Sequence, residues 1–101
     1  MIAILTKSYN HNNYSKYVIY LFNNDGSYIS KVRFGDIRYE DYLIHKNNVR
    51  KKNYINRHKK RENWDDPFKA GFWSRWLLWN KPTIEDSIND IENKYGIIII
   101  K

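Results

Sequence analysis

The sequence has no cysteine. Disulfides, thiolate zinc sites and a cysteine nucleophile are therefore excluded, and the three histidines leave little for a metal centre. Long apolar runs are also missing. Runs such as Met1 to Leu5 and Ile97 to Ile100 fall far short of the roughly 20 residues a membrane span needs, and no cleavable signal-peptide pattern is present. A reducing, soluble setting is expected, with no secretion and no membrane partner. The phosphate-loop pattern GxxxxGK[ST], the dinucleotide pattern GxGxxG and the hydrolase pattern GxSxG do not occur, nor does an HExxH pair or an EF-hand loop. No repeat or low-complexity tract appears either. His45 and His58 stand thirteen apart with no carboxylate motif beside them. These absences predict a protein that is not an enzyme and uses no metal, no cofactor and no small-molecule substrate. A compact cleft joining His45, His58 and a carboxylate would reverse that expectation.

What is present is a single folding unit. A chain of 101 residues supplies one core and no linker to a second, and 42% apolar with 17% aromatic residues separates it from disordered compositions. Its net charge of +7 is local. Residues 31–61 hold eleven basic side chains against Asp36, Glu40 and Asp41, a local net of +8, while the remainder sums to −1. A field so concentrated attracts polyanions and releases their counterions.

Coarse periodicity predicts a small α+β domain spanning residues 1–101. Ile2 to Leu5 reads as a short strand and Ser8 to Ser15 as a loop. Lys16 to Phe22 and Ser27 to Phe34 are rich in strand formers and flank Asn23-Asn24-Asp25-Gly26, so they predict an antiparallel hairpin. On its second strand Tyr28, Ser30, Val32 and Phe34 are assigned to one face, with Ile29, Lys31 and Arg33 on the other. Tyr39 and Tyr42 fit one helical turn. A basic helix is expected from Asn48, its cap, toward Asn63. Asp65-Asp66-Pro67 then reads as the start of a Trp-rich helical segment over 66–80, with Phe68, Phe72, Trp76 and Trp79 along one stripe that Trp73 and Leu77 widen. Thr83 caps a last helix with Ile84, Ile88, Ile91 and Tyr95 in register, and Gly96 stops it. Ile97 to Ile100 is expected to join the sheet as a strand, at its centre. The fold is thus a hairpin plus a C-terminal strand packed against about three helices.

Two surfaces carry the functional expectation. Arg50, Lys51, Arg57, Lys60 and Arg61 would face phosphates together, with Lys31 and Arg33 of the hairpin extending the track, giving non-specific binding of DNA or RNA. Arg75, Trp76 and Trp79 offer an alternative, a protein interface, because Trp and Arg dominate binding hot spots. Arg75 inside an apolar helix reads either as a cation stacked on indole or as part of such a patch.

Phe34-Gly35, Tyr39, Asp41-Tyr42, His45-Lys46, Tyr54, Arg57-His58-Lys59, Glu62, Trp64 and the run Gly71-Phe72-Trp73-Ser74-Arg75-Trp76-Leu77-Leu78-Trp79-Asn80-Lys81-Pro82-Thr83 carry a resemblance. Over residues 34–87 the chain resembles a small uncharacterised family of giant nucleocytoplasmic DNA viruses. It departs from that pattern at Ile37, Arg38, Asn47 and Val49, changes that raise its local positive charge. The resemblance implies a viral origin without an assigned activity. It frames the two candidates as a viral accessory protein on nucleic acid in the infected-cell cytoplasm, or a virion structural or adaptor protein docking on other virion proteins.

Overall fold

The computed structural model describes residues 1–8 and 14–101. Most of the loop expected over Ser8 to Ser15 lies outside the described residues. β2 (Tyr17–Phe22) pairs antiparallel with both β1 (Ile2–Lys7) and β3 (Tyr28–Phe34), and β4 (Ile98–Ile100) adds parallel to β1. The sheet order is β3-β2-β1-β4. Between β2 and β3 the turn closes as its residue types require: Gly26 takes φ +90°, and the Asp25 carboxylate accepts from the Ser27 N–H at 2.9 Å and hydroxyl at 2.7 Å.

Strand alternation sends Ala3, Leu5, Ile19, Leu21, Val32, Phe34 and Ile99 to one face, where the helices cover them. Against that face pack Phe72, Trp73, Leu77, Leu78, Ile88 and Ile91, giving the α+β architecture its single core. Each such side chain contributes about 1.5–3 kcal/mol by leaving water. Trp73 is fully buried, and its indole N–H donates to the Pro67 carbonyl at 2.7 Å, so burial leaves no orphan donor there.

The helices are α1 (Tyr42–His45), α2 (Asn48–His58), α3 (Ala70–Trp73) and α4 (Ile84–Tyr95), of which α3 and α4 supply most of that cover. α4 follows its sequence signals. Thr83 accepts from the Asp86 N–H, Gly96 ends the helix at φ +67°, and Ile88 and Ile91 are buried. Elsewhere the boundaries move for local reasons. Asn47, not Asn48, caps α2 by accepting from the N–H groups of Val49 and Arg50, because the Asn48 oxygen is taken by the Tyr42 hydroxyl at 2.6 Å. α2 stops at His58, five residues before the expected end. Tyr39 lies in a turn ahead of α1 and is exposed, while Tyr42 is buried.

The Trp-rich segment departs most. Asp66 holds a turn by accepting from the Phe68 N–H, so Phe68 stays half-exposed and α3 begins only at Ala70. A π-helical turn over Ser74–Leu78 follows, in which the Trp79 N–H donates to the Ser74 carbonyl. Its extra residue re-phases the helix. Of the expected stripe Phe72, with Trp73 and Leu77 that widen it, fills the core and Leu78 joins them, while Trp76 and Trp79 are only partly buried against it and Phe68 stays out. A bulge at Leu21 and Phe22 likewise pairs Tyr28 with Phe22 and brings their rings together, moving Tyr28 off the face it was assigned with Val32.

β4 is an edge strand, not a central one. Its outward N–H at Ile99 donates to the Glu92 carboxylate at 3.1 Å, which closes that position to further strand pairing.

Gly35 joins the sheet to the helical layer at φ +75°, where a Cβ would lie 2.9 Å from Leu78 Cδ1 and 3.1 Å from Lys16 Cβ. Gly96 shares the left-handed conformation but faces open space. Gly35→Ala is therefore expected to cost about 3 kcal/mol and Gly96→Ala about 1 kcal/mol in urea unfolding. Equal losses would contradict the close approach at Gly35.

Candidate nucleic-acid interface

α2 buries a single side chain, Tyr54. Its ring stacks on Trp79 at 4.3 Å with 2° between planes, and on His58 at 4.3 Å from the other side. With Tyr54 turned inward, helical spacing places Arg50, Asn53 and Arg57 along one flank and leads Lys52, Asn56 and Lys59 outward; all six are exposed. Lys60 and Arg61 extend the exposed charge past the last turn. Arg50 meets Glu40 only at 3.5 Å, and among the described residues Lys52, Arg57, Lys59 and Lys60 make no ion pair.

The acids of α4 do not neutralise this face. Asp90 accepts from Asn80 at 2.8 Å, a bond that lowers its pKa, and lies 3.8 Å from Lys94. Glu92 serves the β4 edge.

Three of the expected phosphate contacts lie elsewhere. Lys51 turns inward, where its ammonium donates to the Asn80 carbonyl and sits 4.9 Å over the Tyr42 ring; burial lowers its pKa. It anchors α2 instead of extending the basic face. Lys31 and Arg33 leave β3 on the side opposite Val32 and Phe34, away from the helices, so they do not continue the α2 track.

Arg75, Trp76 and Trp79 are engaged internally. The Arg75 guanidinium donates to the Trp79 carbonyl at 2.8 Å and stacks 4.4 Å over Trp76 and 5.4 Å over Trp64, and burial lowers its pKa. Of its two readings, the stacked cation is the one observed. Trp76 donates to the Trp64 carbonyl at 2.7 Å and carries the Lys94 ammonium 3.9 Å over its ring.

Beside α2 the chain leaves a cleft of about 630 Å³ that sequence spacing did not reveal, because its lining comes from distant segments: Lys16, Asp41, Tyr54, Arg57, His58 and Glu62 among others. Lys16 Nζ pairs with Asp41 Oδ2 at 2.6 Å with both side chains almost wholly buried. Asp41 Oδ1 and the Tyr54 hydroxyl are buried without a partner, and burial pushes the Tyr54 phenol well up, keeping it neutral. His58 Nδ1 meets Glu62 Oε1 at 2.9 Å, and Gly71 leaves room for that carboxylate, since a Cβ there would stand 2.6 Å from Oε2. The cleft thus joins His58 to carboxylates, but His45 lies outside its lining, against Trp79 at 5.2 Å. Among the described residues no cluster of His, Asp and Glu is placed to hold a metal, and no helix is long and apolar enough to cross a membrane.

Residues 5–58, over half of the chain, match the family of unknown function DUF5754. The chain belongs to DUF5754. No curated protein and no solved structure matches it. The DUF5754 match contains the hairpin, α1 and α2, hence Lys16, Asp41, Tyr54 and the first basic residues of the interface, and it ends before Lys60, Arg61 and the Trp-rich run.

Within the DUF5754 segment, His45 sets the entry to α2. Its Nδ1 accepts from the Asn47 N–H at 2.9 Å, which places the proton of the neutral ring on Nε2. Burial first, and the Arg50 charge second, lower its pKa below 6.5. The unfolded chain therefore binds the proton more readily, so stability is complete above the unfolded value and falls as pH drops through it toward the folded one. The urea midpoint is expected to rise between about pH 5 and about pH 7. His45→Gln should remove that component; an unchanged slope in the variant would assign it to another group.

Proposed function

We propose that this DUF5754 protein is a non-enzymatic accessory protein that binds nucleic acid, DNA or RNA, mainly through phosphate contacts on α2 and the turn behind it. The observation that carries this reading is the row of exposed cations, Lys52, Arg57, Lys59 and Lys60, that no carboxylate among the described residues pairs with, flanked by Arg50 and Arg61. Arg50, Lys52 and Arg57 on α2 with Lys59, Lys60 and Arg61 just behind it outnumber the nearby acids, of which Glu40 stands 3.5 Å from Arg50 and Glu62 is held by His58, so a phosphate backbone meets a net positive face. Phosphate contacts carry no sequence information, so the binding is non-specific. A viral origin, with action in the infected-cell cytoplasm or the virion, rests on the resemblance over residues 34–87. The alternative, docking on virion proteins through Arg75, Trp76 and Trp79, draws no support from ring faces already stacked inside the fold, Trp76 under Arg75 and Lys94 and Trp79 against Tyr54.

About five phosphate contacts correspond to a log–log salt slope near −4.5 on duplex DNA. Anisotropy titrations at several salt concentrations should return a slope of that order. Joint charge reversal at Arg57, Lys60 and Arg61 should abolish binding, whereas Lys51→Met should leave the slope unchanged while lowering stability. Binding that ignores ionic strength would sink the proposal.

A further inference from the structure

We infer that the face of the sheet which no helix covers, among the described residues, is a second surface, fitted to single-stranded nucleic acid. Strand register places Ile2, Ile4, Tyr20, Phe22, Lys31, Arg33, Ile98 and Ile100 on the side away from the helices. None of them belongs to the core or packs against it. The bulge in β2 adds Tyr28, whose ring meets Phe22 edge-on at 5.6 Å and is 57% exposed. Three aromatic rings, Tyr20, Phe22 and Tyr28, therefore stand on adjacent strands of this face, while Val18 at its other end is buried. Its charged side chains are Lys31, directly across from Tyr20, and Arg33, across from Val18, with no carboxylate among them. Of the acids that flank this segment in the chain, Asp25 is folded back onto Ser27 in the turn and Asp36 is held by the Arg38 guanidinium.

Rings that stack on any base, bordered by cations that hold phosphates, form a platform for an unpaired strand. A duplex keeps its bases stacked inside and offers such rings nothing. Charge complementarity selects a polyanion here over an apolar partner. A second copy adding at the β4 edge would also meet an Ile99 N–H already bonded to Glu92. The inference rests on the nucleic-acid reading only for the class of ligand; the surface, the residues and the strand preference are separate from α2.

The test is fluorescence anisotropy with a labelled single strand of about ten nucleotides and a duplex of equal length. Four proteins are compared: the wild type, Tyr28→Ala, Lys31→Gln and the joint Arg57→Glu, Lys60→Glu, Arg61→Glu variant. Tyr28→Ala is expected to weaken single-strand binding about tenfold and to leave duplex binding unchanged. Lys31→Gln should lower the single-strand salt slope by about one contact. If Tyr28→Ala changes neither affinity, or both equally, the platform is refuted even when the α2 variant loses the duplex. If the α2 variant keeps the duplex while Tyr28→Ala still loses the single strand, the platform stands and the α2 reading falls. Sedimentation showing a wild-type dimer that Tyr28→Ala disperses would assign the face to a second copy and overturn the inference.

Discussion

The Tyr54–Trp79 stack holds the basic helix to the protein. α2 offers the fold one fully buried side chain, and the parallel rings at 4.3 Å are where that side chain is received. Burying such a ring contributes about 2–3 kcal/mol, and aromatic stacking adds about 1 kcal/mol. Two polar contacts help fix the helix. The Tyr42 hydroxyl donates to Asn48 at its start, and Lys51 donates to the Asn80 carbonyl near its middle. With so little of α2 turned inward, its remaining surface is free to carry cations, and a charged helix that could not nucleate on its own is held in place.

Trp79 receives Tyr54 where it does because of the π-helical turn before it. The turn inserts one residue between Ser74 and the Trp79 N–H, letting Leu77 and Leu78 enter the core while the indole faces sideways toward α2. Arg75 then donates to the Trp79 carbonyl and spreads over Trp76 and Trp64, so one cation pins the chain just beyond the turn. Leu78 reaches back under Gly35, which links this segment to the end of β3. The core, the π-helical turn and the basic helix are thus coupled through Arg75, Leu77, Leu78 and Trp79.

Sequence spacing reads well where local chemistry decides the outcome. The Asn23–Gly26 turn, the Thr83 cap and the isoleucine stripe of α4 each satisfy their own backbone within a few residues, and each appears as expected. It reads poorly where a distant atom decides. Lys51 differs from its neighbours on α2 only because the Asn80 carbonyl waits for it, and no interval in the chain announces that contact. Lys31 and Arg33 belong to the basic stretch by charge yet lie on the opposite side of the sheet from α2, because strand alternation, not proximity in sequence, chooses their face. The π-helical turn defeats a regular period by construction, and the cleft gathers side chains from segments that only the closed fold brings together.

Amide hydrogen exchange in Trp79→Ala tests this dependence most directly, since the substitution removes no charge and leaves every residue of α2 in place. Protection is expected to collapse across residues 48–58 while β1, β2 and α4 keep theirs. Undiminished protection in α2, or uniform loss throughout the chain, would show that the basic helix is held by something other than its single stacked tyrosine.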